Sequence, residues 1–176
     1  NPAVARSSVY WAKVSATFAQ YTEDLATAGL FAEILSVKGL NLVAGYSGAY
    51  DWSDGDAAVH AVELRARYAA GDIAVTSHNN VSFGKDSMTV YDMANFALKA
   101  NDSVTAVLYA NNVYVSGDAA EATTKAGNTL VVRPGVTIFA QAGATIDTGL
   151  EFTFSSPKGG DMTATMNVPV VFRVKF

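Results

Sequence analysis

The chain has 176 residues, half of them hydrophobic, with a formal net charge of −4 and no cysteine. The length suits one domain. Lack of cysteine excludes disulfides, thiolate catalysis and cysteine-bound zinc. The acidic balance argues against a general nucleic-acid surface, and no apolar run approaches the roughly 18 residues of a membrane helix.

High apolar content without long apolar runs points to interleaving, and period-two alternation predicts about ten strands. Residues 1–7 carry neither an apolar core nor a basic start, so they read as the lead-in of a mature or excised chain. The first strand, over 8–21, sets Tyr10, Ala12, Val14, Ala16 and Phe18 against Trp11, Lys13, Ser15, Thr17 and Tyr21. Residues 23–38 admit two readings. Leu30, Phe31, Ile34 and Leu35 have helical spacing between Glu23-Asp24 and Gly39, while a strand over 29–38 keeps the hairpins in phase. The strand is the preferred reading.

The third strand, 40–52, opposes Leu40, Leu42, Ala44, Tyr46, Gly48, Tyr50 and Trp52 to Asn41, Val43, Gly45, Ser47, Ala49 and Asp51. Strands over 58–70 and 73–83 follow, turned by Ala70-Gly71-Asp72. Gly84 to Met93 reads as the longest loop, with room for a short helix. A short sixth strand, 94–100, leads through Asn101-Asp102 to a seventh over 103–116 and an eighth over 129–141. Ala142-Gly143 turns into a ninth carrying Ile146, Leu150, Phe152 and Phe154. The last strand, after Asp161, sets Ala164, Met166, Val168, Val170, Phe172, Val174 and Phe176 against Thr165, Asn167, Pro169, Val171, Arg173 and Lys175.

Connections alternate between long, acidic, Gly-rich loops and short turns, the organisation of a transmembrane up-and-down barrel. Ending on Phe176 at the edge of an apolar stripe resembles the C-terminal assembly signal of bacterial outer-membrane β-barrel proteins. The resemblance covers 167–176 and departs from the common form at Val174, where an aromatic is frequent, and at Pro169, which removes a ladder donor. It implies an all-β fold: a transmembrane antiparallel up-and-down β-barrel of about ten strands over 1–176, located in the bacterial outer membrane. The implied partners are membrane lipid, lipopolysaccharide or an equivalent outer-leaflet lipid, and the outer-membrane assembly machinery that reads the strand ending at Phe176. In size and terminal strand the chain also resembles the barrel domains of spirochaete major outer sheath proteins.

The chemistry-bearing residues sit on the polar strand faces. Lys13, Glu63, Arg65, Arg67, Lys99, Arg133, Asp147, Glu151 and Arg173 are the expected pore-lining set. Facing charges of both signs choose which solutes pass a lumen, whereas the same residues packed as ion pairs would plug a narrow one. The expected function is therefore a porin-like channel for small hydrophilic solutes. The alternatives are a closed structural or adhesive surface barrel acting through its loops, and a soluble β-sandwich binding module.

Asp24, Asp51, Asp54, Asp56, Asp86, Asp92, Asp118, Glu121 and Asp161 form an expected acidic crown at the long-loop side. Asp54-Gly55-Asp56 falls short of the six to eight oxygens calcium needs, so no metal or other cofactor is expected. His60 and His78 are the only histidines. Omptin proteases place His and Asp at a barrel rim, but parity puts His60 on the apolar face. No nucleophile-elbow serine is present, so no enzyme activity is expected. Small residues on the apolar faces (Ala12, Ala16, Ala44, Ala66, Ala106, Ala110) would let neighbouring barrels pack, which points to a homo-oligomer.

Overall fold

The computed structural model describes residues 5–9, 12–20, 25–34, 38–51, 59–84, 87–117, 126–141 and 143–174. Among these the chain forms thirteen strand segments and no helix. They are β1 (Ala5–Val9), β2 (Ala12–Gln20), β3 (Leu25–Ile34), β4 (Leu40–Asp51), β5 (Val59–Ala70) and β6 (Ile73–Phe83), then β7 (Ser87–Asn101), β8 (Val104–Gly117) and β9 (Gly127–Gln141). The last four are β10 (Ala144–Gly149), β11 (Glu151–Pro157), β12 (Thr163–Asn167) and β13 (Val170–Val174). All belong to one antiparallel sheet in which each strand from β1 to β10 pairs with its neighbours in sequence.

The expected ten strands thus become thirteen segments, and the surplus has three sources. β1 folds back on β2, with Val9 opposite Ala12 and Ala5 opposite Ala16, so part of the expected lead-in is strand. β10 and β11 lie end to end along the same side of β9, divided at Leu150. β12 and β13 are divided at Val168-Pro169, β12 pairing β11 and β13 pairing β10. Proline has no amide donor for the ladder, which accounts for the second break.

Residues 25–34 are extended, so the helical reading of 23–38 is set aside. Alternation explains it: Ala26, Ala28, Leu30, Ala32 and Ile34 share a face opposite Thr27, Gly29, Phe31 and Glu33. The long 84–93 loop is corrected too. β7 begins at Ser87, and the Gly84 amide donates to the Ser87 carbonyl at 2.9 Å across a tight connection. Elsewhere turns stay short where expected. Gly71 turns β5 into β6 at φ 57°, a left-handed conformation that side chains disfavour.

Closure into a barrel is the main correction. Among the described residues no pairing joins β1 to β12 or β13, and the sheet is open. Alternation fixes which side chains share a face but carries no information on closure, which depends on strand number, tilt and register. The edges are also short, five residues each in β1, β12 and β13.

The sheet has one apolar and one polar face and no conventional core. Among the described residues only Ala26 and Val115 are buried. Leu30, Tyr46, Val62, Val81, Val90 and Tyr114 follow one another in register across six strands. Leu40, Tyr68, Val75, Phe96, Leu108 and Pro134 do the same nearer the short turns. Phe18, Leu30, Val62, Leu108 and Phe172 are 49–71% exposed. Water-soluble proteins rarely show so continuous an apolar surface.

Candidate functional site

The register puts all nine expected lining residues on the polar face. Arg67 of β5 lies between Asn41 and Thr76, and the row continues through Asn95 and Tyr109 to Arg133 of β9. Glu151 extends it, at 3.5 Å from the Arg133 guanidinium and opposite Asn167. A second row runs Glu33, Val43, Arg65, His78, Met93 and Asn111, and Lys13 stands in register with Glu33. Glu63 shares a third row with Asn80 and Tyr91. Near the short turns Lys99, Thr105, Thr137 and Asp147 align, with Arg173 opposite Thr145.

Local contacts divide these charges into small groups. Arg65 donates to Glu63 at 2.9 Å, and the His78 Nε2 lies 3.4 Å from the same carboxylate oxygen. Asn41 donates to Glu33. Arg133 stands 5.1 Å over the Tyr109 ring, a cation–π contact that holds its guanidinium beside β8. Arg173 pairs with Asp147, which also accepts from the Thr137 hydroxyl at 2.6 Å. Half-exposed pairs of this kind are each worth at most about 1 kcal/mol, so their placement matters more for solutes than for stability.

In the β7–β8 turn the Lys99 ammonium donates to Asp102 at 2.6 Å. This bond first, and the Lys99 charge second, holds the Asp102 carboxyl below its usual range. Its contribution to stability is present above the unfolded carboxylate pKa and is lost as pH falls through the lowered value.

A cavity of about 270 Å³ opens on the polar face, lined by Asn95, Tyr109, Arg133, Thr137, Asp147 and Arg173 among others. Gly135 contributes to its lining without a side chain. Gly135 and Gly149 face each other across β9 and β10, and a Cβ on Gly149 would lie 2.3 Å from the Pro134 carbonyl oxygen. Alternation could place Asn95 and Tyr109 on this face, but uncharged side chains gave no reason to select them. The gathering of Arg133 and Arg173 depends on the split between β10 and β11, which periodicity does not register.

The acidic crown is only partly described. Asp24, Asp54, Asp56, Asp86, Asp118 and Glu121 lie outside the described residues, as do Lys175 and the terminal Phe176. Asp92 is not in a loop at all: it sits within β7, exposed on the apolar face between Asn79 and Asn112. His60 is also on that face, stacked on Phe83 at 5.4 Å, its Nδ1 2.5 Å from the Tyr46 hydroxyl. Among the described residues no three metal-ligating side chains cluster.

No protein-family model matches the chain, and no curated protein sequence is similar to it. A search of solved structures finds outer-membrane expressed OmpT of Vibrio cholerae, with a TM-score of 0.62 at 16% identity. The fold is an open antiparallel up-and-down sheet similar to that outer-membrane protein. The alignment covers 96% of this chain and 62% of that one, so the chain spans less than two thirds of the matched structure. The all-β antiparallel meander agrees with the expected fold class, and an outer-membrane barrel is the architecture it resembles.

Proposed function

We propose that the chain forms most of the wall of an outer-membrane channel through which small hydrophilic solutes diffuse. The observation that carries this reading is the segregation of the two faces: the charged residues expected to line a path share one face, and large exposed hydrophobics cover the other. A membrane requires an apolar exterior, and a water path requires a polar interior. Inside a bilayer the two free sheet edges need partners, because each unpaired backbone group in hydrocarbon costs several kcal/mol. Further strands of a longer porin-like protein would supply them. The narrower resemblance to spirochaete major outer sheath proteins carries no part of the reading.

By register, seven cations (Arg6, Lys13, Arg65, Arg67, Lys99, Arg133, Arg173) stand on the polar face of the described strands against five acids (Glu33, Asp51, Glu63, Asp147, Glu151). The longer protein that supplies the edge-pairing strands, purified and folded in planar bilayers, should therefore give uniform conductance steps with a mild preference for chloride over potassium. Arg67→Glu should move the reversal potential towards potassium. Silence from protein shown to have inserted would rule out the channel and leave the closed, loop-acting barrel. The sandwich alternative is disfavoured because the described strands make one sheet with its apolar face uncovered.

Outer-leaflet lipid against the apolar face and the assembly machinery at the last strand are the partners this function requires. Contact between copies would use the small-residue strip in which Ala66, Ser77, Ala94 and Ala110 follow one another across β5 to β8. Cross-linking in native membranes should then trap a multimer, and monomer alone would remove that part of the reading.

A further inference from the structure

The cavity beside Gly135 has a composition that the general lining does not explain. Two guanidinium groups enter it, from Arg133 and Arg173, against the single carboxylate of Asp147. The Glu151 partner of Arg133 is not among the lining residues. Each arginine is ion-paired on one side, Arg133 with Glu151 and Arg173 with Asp147, and both remain accessible, with side chains 41% and 65% exposed. Between the charges lie Val107, Val171 and Pro169, so the space is part apolar. Gly135 also lines it without a side chain, and a Cβ there would lie 2.6 Å from the Thr148 carbonyl oxygen.

We infer that this cavity is a binding site for small carboxylates: organic anions with one acidic head and a short apolar body. The head takes the guanidinium of Arg133 or Arg173, whose planar donor forks match a carboxylate in geometry and charge. The body lies against Val107 and Val171. The Asp147 carboxylate already holds Thr137 and Arg173, and it discourages solutes of higher negative charge. The inference rests on the channel reading in one respect: the polar face must be open to water.

Sodium butyrate is the probe, with butyramide as the uncharged control, followed by saturation-transfer NMR on the same longer protein folded in detergent micelles. Butyrate should bind saturably and butyramide should not. Arg133→Gln and Arg173→Gln should each weaken binding about tenfold, as for the loss of one charge-assisted hydrogen bond. Lys158→Gln, which removes the same charge from the exposed turn after β11, should leave it unchanged. Val107→Phe fills the cavity without altering a charge and should abolish binding. It decides the matter if an arginine variant does not fold.

Equal weakening by Lys158→Gln, or undiminished binding in folded Val107→Phe, would overturn the site. Conductance of the same preparations separates the two readings. A conducting protein with no saturable butyrate binding rejects the site and keeps the channel, while binding without conductance rejects the channel and keeps the site.

Discussion

Leu108→Arg should cost the protein folded in lipid vesicles about 1–3 kcal/mol, between the values for a cation at the rim and at mid-depth of a lipid-facing strand. Leu108 is 49% exposed and is the fifth of the fourteen residues of β8, between Phe96 and Pro134 in the apolar row nearer the short turns. No cation lies beside it in that row to be displaced or neutralised. Asn111→Arg makes the contrasting experiment, since Asn111 points to the polar face between Met93 and Val131. There an added guanidinium meets water and should cost about 0.5 kcal/mol or less. Urea midpoints of both variants in vesicles check the assignment of the two faces. Equal losses would mean that the apolar face does not contact lipid.

Gly149→Val should be more damaging still, at about 3 kcal/mol or more, the upper end for overpacking. A Cβ there would stand 2.3 Å from the Pro134 carbonyl oxygen and 2.7 Å from the Gly135 Cα. Both are backbone, so no rotamer change relieves the collision. The next amide, Leu150, donates to that same Pro134 carbonyl at 3.0 Å, so the intruding carbon would break the junction between β10 and β11. Gly48→Ala is the control, because its nearest neighbour is the Tyr46 hydroxyl at 3.4 Å, the end of a movable side chain. The fraction migrating as the heat-modifiable folded form should fall sharply in Gly149→Val and hardly in Gly48→Ala. A Gly149→Val protein that folds like the control would refute the close approach.

The faces were legible because a strand repeats every two residues. One correct assignment of parity then places every side chain of that strand. Arg65, Arg67 and Glu63 needed nothing more. The misreading of 87–93 has a specific cause. Asp92 interrupts the apolar stripe Met88, Val90, Ala94, Phe96 and Leu98, so the first half of β7 looked like a polar loop. The helical spacing in β3 is another accident of composition, arising because Phe31 belongs to the polar face and packs over Gly45. Closure and the division at Leu150 were not legible. Both depend on how segments meet across the sheet, and residue type along one strand carries no record of that.

Nearest-neighbour pairing also bears on how such a sheet forms. From β1 to β9 every new strand docks on the one just made, so each closure joins segments close in sequence. Loop-closure entropy grows with loop length, and folding rates fall as contacts become more distant. This sheet can grow hairpin by hairpin without a long-range search. β9 is where that regularity stops. Its first half waits for β11 and its second half for β10, so two segments must register on one template before β12 and β13 can follow. Kinetically, the last third of the chain should be the slowest part to lock.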